Sequence, residues 1–482
     1  MVWFLVVGAS VAAVLLFLQT PFKRLVSDIL RSVKRSYFVI RSPVISDHWK
    51  EWALPKYAAI IFRASFGLLG CLAMLAAPFL VAQAAGSTIN VDVLTTVVTW
   101  PGLVVSTLIT ACTGWCWYEC RGPWSREYSI VEKLLHGLVL GVAPLREILF
   151  NLEVGQQSFT MRVKEGRHIF VSGLARSGTT VLMRSLHESG AFGSLNYADM
   201  PFVLAPRFWR KLGREVQTGE KAERAHGDGI LVDHHSPEAL DEPFWKTFCG
   251  ESYLLKECLV GHDVPADVGR DFVRYVADIL AVRGKGRYLS KNNNYVLRLE
   301  GLLEIFPNAT ILVPFRDPET HVTSLKTQHD RFTEIQKSDP FVRRYMKWLG
   351  HFEFGVIHRP MRFKNRKPTY KDPGSPDYWL EIWVEVYRHV LAVAEKSPRI
   401  YPVCYEALCD STEANWRNVC WVTKIDTPAP ALSRSATVPM SFEDETLWHE
   451  AKRIYKRLEK ISTTRVGNLE VSGAVATRFP EG

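Results

Sequence analysis

The sequence predicts an α/β fold of P-loop type, a parallel sheet flanked by helices, preceded by an all-α transmembrane region. Three observations predict it. The stretch Arg167–Ala198 reads as a short strand (His168–Ser172), a loop bracketed by Gly173 and Gly178, and a helix from about Thr179. A second apolar strand, Ala309–Phe315, ends at Arg316, and a helix follows Pro318. Upstream, three apolar runs cover Met1–Leu18, Ala58–Ala85 and Val93–Trp117. These place a membrane region at 1–125, an interfacial helix or linker at 126–165, an α/β domain at 166–465 and a tail at 466–482.

Met1–Leu18 holds no charged residue, and as a helix it reaches about 27 Å, close to the thickness of a hydrocarbon core. A cleaved leader would want a positive start and a small-residue cleavage site, whereas Lys23 and Arg24 follow the run. In the second run Arg63 lies near the start, where its stem can snorkel. In the third, Trp100, Trp115, Trp117 and Tyr118 lie near the ends, as in an interfacial belt. Three spans are expected. The connection between the first two carries Lys23, Arg24, Arg31, Lys34, Arg35, Arg41, Lys50 and Lys56, and Gly86–Asp92 carries no Lys or Arg. The positive-inside rule puts the basic connection, and everything after the third span, in the cytoplasm, most naturally at a bacterial inner membrane. Phe22–Arg41 reads as an amphipathic helix on anionic lipid or a plain charged connector. Ser129–Phe150 reads as an apolar helix lying against the bilayer.

The 482 residues carry 59 Lys and Arg against 50 Asp and Glu, a net charge of +9, which suits an anionic ligand or membrane surface. No basic block interleaved with aromatics marks the soluble part, so nucleic acid is not expected. Nine cysteines, odd in number and thinly spread, exclude a secreted disulfide framework. Cys112, Cys116 and Cys120 fall on one helix face, where small packed side chains are expected rather than a metal cluster. No metal-site spacing occurs, and no metal is expected.

A strand, a glycine-bracketed loop and a helix N-terminus make an anion cradle, because backbone N–H groups converge there. The nucleoside-triphosphate version ends G-K-[ST]. Here Gly178 is followed by Thr179 and Thr180, and the missing cation has a substitute in Arg176. That argues against ordinary ATP or GTP hydrolysis, although a P-loop kinase or NTPase and a non-catalytic nucleotide-binding membrane scaffold stand as alternatives.

Arg176-Ser177-Gly178-Thr179-Thr180 after an apolar strand resembles the 5′-phosphosulfate loop of sulfotransferases that use 3′-phosphoadenosine 5′-phosphosulfate (PAPS). Arg316 and Ser324, eight residues apart, resemble that family's 3′-phosphate clamp, with arginine offering a fork of donors and serine one more. Tyr288–Lys291, with asparagines after it, resembles the family's strand ending in lysine. There Lys291 would stabilise charge on the bridging oxygen; the plain alternative is an exposed turn lysine. Asp199, nineteen residues past Thr180, is the best match to the carboxylate that serves as general base in Golgi-type members. Otherwise it caps the turn at Met200–Leu204. His234 and His235 rank below it as bases. Glu238 and Glu242, spaced as one face of a helix, are expected to bind the acceptor or solvent. The resemblance spans about Arg167–Leu458 and implies PAPS as co-substrate. Its location points to a lipid, lipid-linked glycan or envelope precursor as acceptor. Neither the acceptor nor the oligomeric state is encoded in a motif.

Further along, Arg331–Pro376 reads as a basic irregular lid, acceptor surface or solvated insertion. Asp377–Lys396 reads as an amphipathic helix, Arg399–Val403 as a late strand before Tyr405-Glu406, and Glu443–Ile461 as a final helix. The loop Ser433-Arg434-Ser435 precedes it and is not counted among the nucleotide-binding residues.

Overall fold

The computed structural model describes residues 2–21, 47–88, 90–103, 130–153, 160–211, 222–223, 231–232, 236–363, 368–432, 434 and 440–473, with isolated positions between 25 and 40 and at 105, 106 and 109. His234, His235, Cys112, Cys116, Cys120, Ser433 and Ser435 lie outside the described residues. The chain forms two units, Met1–Leu135 and His136–Gly482.

In the first unit, α1 (Val2–Gln19) and α2 (Asp47–Ser87) meet through Val6, Ala9 and Ala82, small side chains that let helix backbones approach. Within α2, Leu54–Ser87 is long and apolar enough to cross a membrane; Val2–Ala13 is a shorter apolar helix. Among the described residues Leu54–Ser87 passes on length and composition, and Leu135–Gly141 with Ala143–Glu153 passes as a bent pair, giving one or two candidate spans where three were expected. The third run begins as α3 (Val93–Val98). Asp92 caps it by accepting from Thr95 N (3.2 Å), and Gln83 Oε1 accepts from Val93 N (2.7 Å) and Leu94 N (2.9 Å). Thr99 then turns extended, two residues before Pro101, and most of the run beyond Leu103 lies outside the described residues.

The expected continuous helix over Ser129–Phe150 is instead two, α4 (Ile130–Gly141) and α5 (Ala143–Glu153), bent by 82°. Pro144 explains the break, since it has no N–H to continue the ladder and fits the first turn of a new helix. Rather than presenting a wholly apolar face outward, α5 buries Arg146, Leu149, Phe150 and Glu153. Phe150 packs edge-on to Phe244 and Phe248, and Arg146 Nε donates to Thr247 (2.9 Å).

The second unit is built on five strands: β1 (Ile169–Val171), β2 (Phe192–Gly193), β3 (Arg287–Lys291), β4 (Thr310–Phe315) and β5 (Ile400–Cys404). Their order is β2-β3-β1-β4-β5 and every pairing is parallel. Parallel strands need crossovers, and these carry α6 (Thr179–His187), α7 (Ala266–Arg283), α8 (Pro318–Ser338) and α9 (Pro376–Lys396). Alternation along β1 explains how both faces are covered. Ile169 and Val171 face Leu182, Leu186, Leu312 and Val403. Phe170 faces an aromatic core with Phe272, Tyr288, Tyr295 and Phe306.

Two segments depart from expectation. Arg331–Leu349 is helical: α8 runs to Ser338 and a helix spans Pro340–Leu349. Asp339 caps that helix by accepting from Phe341 N (2.8 Å), with Pro340 at its first turn. The final helix, α10 (Glu445–Gly473), runs longer than its apolar pattern suggested.

Candidate functional site

β1 ends at Val171 between two parallel neighbours, so the next residues emerge at the carboxyl edge of the sheet, where open α/β folds hold ligands. Gly173 (φ +147°) and Gly178 (φ +100°) use backbone that other residues rarely adopt. A Cβ on Gly173 would stand 3.0 Å from Pro314 O and 3.3 Å from Ser177 Oγ, and one on Gly178 would stand 2.7 Å from the Tyr405 ring. Arg176 also has positive φ (+68°), which bends the loop between the two glycines. Gly178 begins α6 without a side-chain cap, so the helix N-terminus and buried Thr179 and Thr180 face the loop as an anion site.

The second grip arrives from β4. Arg316, buried at its carboxyl end, donates from Nη1 to Arg176 O (3.2 Å). Its guanidinium stands 4.9 Å over the Tyr405 ring. Arg176 Nε in turn donates to Ser324 Oγ on α8 (3.3 Å). Arg176, Arg316 and Ser324, up to 148 residues apart in the chain, therefore meet at one edge. Arg316 Nε is buried and makes no hydrogen bond among the described residues, a costly state unless an anion or water completes it.

His321 was not singled out from the sequence, although it lies three residues before Ser324 and so on the same helix face. Its Nε2 donates to Ala175 O (2.9 Å). Burial first, then the Arg316 and Arg176 charges, hold it down to about 3, so it stays neutral beside the two guanidinium groups. Tyr405, just past the late strand, forms the wall behind both Gly178 and Arg316.

β3 ends at Lys291, buried rather than an exposed turn lysine, with Nζ 3.7 Å from Glu238 Oε1. Three asparagines follow, each with a fixed job. Asn292 Nδ2 donates to Asp241 (3.2 Å) and Glu242 (2.6 Å). Asn293 Nδ2 donates to Glu353 Oε1 (2.9 Å), and its Oδ1 lies 3.5 Å from Thr179 Oγ1. Asn294 Nδ2 donates to Gly350 O (3.2 Å). His351 Nδ1 lies 3.6 Å from Glu353 Oε1. Burial pushes the Glu353 carboxyl up, but His351 and Asn293 outweigh it and hold the group at about 2. Burial pulls His351 down, yet Glu353 wins and raises it.

Glu242 does not face acceptor or solvent. It is buried at the start of the helix Glu242–Tyr253 and pairs with Arg298 (3.2 Å). The expected shared helix face with Glu238 fails because the helix begins only at Glu242, with Pro243 in its first turn. Asp199 ends a 3-10 turn, Tyr197–Asp199. Its carboxylate accepts from Asn196 N (2.9 Å) and forms an ion pair with Arg283. Burial pushes that carboxyl up against the pull of Arg283. The structure thus brings together Arg176, Ser177, Gly178, Thr179, Thr180, Arg316 and Ser324, sets Lys291 with Glu238 nearby through Asn293, and gives Asp199 separate partners.

Residues 168–359 match the model of the sulfotransferase family. Among solved structures, a sulfotransferase of Mycobacterium tuberculosis H37Rv is 14% identical at a TM-score of 0.38, covering 68% of this chain and 86% of its own. One of Mycobacterium avium is 14% identical at 0.35, covering 74% and 92%. One of Alicyclobacillus acidocaldarius is 13% identical at 0.32, covering 62% and 96%. No curated protein matches the chain. The matched residues run from β1 past the end of α8 within the parallel-sheet unit.

Proposed function

We propose that this protein is a membrane-anchored sulfotransferase that moves a sulfuryl group from PAPS to a hydroxyl, or an amine, of a lipid, glycan or envelope-precursor acceptor. The observation that carries this reading is the meeting of two anion grips on Arg176: its carbonyl takes Arg316 and its side chain takes Ser324. The residues fit a nucleotide bearing separate anionic groups. The loop has no Cβ where Gly173 and Gly178 stand, and Arg316 Nε is buried with a donor to spare among the described residues. Arg176, Ser177, Gly178, Thr179 and Thr180 would hold the 5′-phosphosulfate, and Arg316 and Ser324 the 3′-phosphate. PAPS, when bound, supplies an activated sulfuryl group on a good leaving group.

The protein's own share is positioning and charge. His321 stays neutral and holds the loop through Ala175 O, so it adds no charge beside the guanidinium groups. Lys291, at the carboxyl end of β3, would stabilise charge on the donor's bridging oxygen. The apolar stretch Leu54–Ser87 supports an anchor, and the basic residues before it support a cytoplasmic catalytic unit.

Thermal melting of the purified full chain tests the donor. Adenosine 3′,5′-bisphosphate is expected to stabilise it and ATP with magnesium is not; the reverse result identifies a P-loop kinase or NTPase. In Arg316→Ala the bisphosphate should bind roughly 10–100-fold more weakly, the loss expected for a charge-assisted phosphate contact. Isothermal titration reads this directly.

A further inference from the structure

We infer that the outer face of α5 is a lipid-binding surface that lies in the headgroup layer of an anionic bilayer; this rests on the membrane reading above and not on the transfer chemistry. In water, a helix at the edge of a protein buries its apolar side and exposes its charged side. Much of α5 is the other way round. Arg146 and Glu153 are 6% and 7% exposed, whereas Ile148 and Leu152 are 53% and 70% exposed. Pro144, Ile148 and Leu152 follow one another at intervals of four and are all exposed, so they share one side of the helix.

The buried charges hold that side outward. Arg146 Nε donates to Thr247 Oγ1 (2.9 Å) and its Nη1 to Leu140 O (2.5 Å). Glu153 Oε2 accepts from Phe208 N (2.9 Å), and Oε1 accepts from Arg207 N. With its polar groups fastened inward, α5 cannot roll to cover Ile148 and Leu152. The apolar exposure continues at both ends. Leu138 and Val142 are exposed before the bend, and Phe208, bonded through its N–H to the end of α5, is exposed after it. An apolar face left open in this way points to an apolar partner.

Length decides how a bilayer meets it. The bent pair is apolar enough to be read as one broken span. The 11 residues of α5 rise only about 16 Å, roughly half of a hydrocarbon core. The 82° bend and the two inward charges stop the pair from crossing as a rod. The helix therefore lies in the plane of the interface, its outer side among the acyl chains and its inner side on the protein.

Charge selects the lipid. Arg210 is exposed on the short helix Pro206–Lys211, beside Phe208, and Arg162 and Lys164 are exposed on the next helix after α5, Thr160–Lys164. Arg207 is shared with Asp278 (2.9 Å), and Glu147 is an exposed acid on α5 itself. Cations around exposed leucine, isoleucine and phenylalanine fit anionic headgroups above acyl chains. A second copy of the chain seated on the same face would crowd these cations together.

The test uses the full chain in vesicles of phosphatidylethanolamine and phosphatidylglycerol, with photoreactive benzoylphenylalanine replacing one residue at a time. Ile148 and Leu152 report on the face, Phe66 on the apolar stretch Leu54–Ser87, and Val356 and Trp421, exposed elsewhere, serve as controls. After irradiation, mass spectrometry is expected to find lipid adducts at Ile148 and Leu152 about tenfold above the controls, as for side chains inside the interface. Relative to Phe66, the Leu152 adducts should favour phosphatidylglycerol roughly fivefold, the worth of one basic side chain at an anionic surface. Two positions are read independently, so one misfolded variant does not decide the result. The inference is overturned if Phe66 takes lipid while Ile148 and Leu152 do not exceed the controls. It is equally overturned if their adducts are with a second copy of the chain, or if the headgroup ratio at Leu152 matches that at Phe66. Lipid adducts at Leu152 with none at Phe66 uphold the surface and overturn the anchor instead; none at either position overturns both.

Discussion

At the scale of single residues, Gly178 is constrained twice. Its φ of +100° is unfavourable to any side chain, and the ring of Tyr405 occupies the place of a Cβ. Gly178→Ala is expected to cost about 1–3 kcal/mol and to remove bisphosphate binding, read by denaturant titration and calorimetry. Replacing Tyr405 by Leu in that background should return part of the stability but not the binding, because the backbone strain remains. The loop and its two distant partners were readable in the sequence because short-range spacing encodes them: glycines five apart, and an arginine eight residues before a serine. His321, Asn293 and Glu353 were not readable in this way. Each acquires its role only when distant segments become neighbours: His321 meets Ala175, 146 residues away, and Asn293 meets Thr179 and Glu353, 114 and 60 residues away. Glu238 was visible, but the helix drawn through it was not there.

At the scale of elements, the site is held from beneath by an ion pair. Arg298 lies fully buried between the rings of Trp245 (4.6 Å) and Tyr253 (4.7 Å) and bonds to Glu242. Asn292 bonds to the same carboxylate, so the pair fixes the turn that follows Lys291. Breaking a buried pair leaves one charge stranded, at about 3–5 kcal/mol. Arg298→Met is therefore expected to lower stability by that amount in chemical denaturation. Adding Glu242→Gln should recover much of it, because no uncompensated charge then remains. Strands β1 and β4 were legible because parallel strands covered on both faces read as apolar runs. The break between α4 and α5 was missed because hydrophobicity was weighed above Pro144. The helical stretch Arg331–Leu349 was missed because its charges conceal an apolar stripe.

At the scale of the whole molecule, buried histidines set the response to acid. His168 receives the Tyr288 N–H on Nδ1 (2.9 Å) and donates from Nε2 to Val163 O (2.6 Å), which fixes it neutral. Burial is the first cause that holds His168 to about 4, and His321 and His358 to about 3. The unfolded chain takes up these protons near the ordinary value of about 6.5. Their contribution is therefore intact above about pH 6.5 and drains away as pH falls towards the folded values. For His168 alone the loss is on the order of 3 kcal/mol. Burial also lowers His187, His262 and His329, whereas His351 is shifted the other way and opposes them. Melting temperature should fall from pH 7 to pH 5, although Asp241, pushed up to about 6 by burial, takes up its proton in the folded chain over that range and works against the fall.

Asn293 has the last word on how the two halves of the site are aligned. Its amide is asymmetric: the NH2 end meets a carboxylate that only accepts, and the C=O end meets a hydroxyl that can give. Turned over, it would set oxygen against oxygen at Glu353, so the group has one right way round. A single planar side chain thus keys Glu353, well along the chain, to Thr179, the first residue of α6.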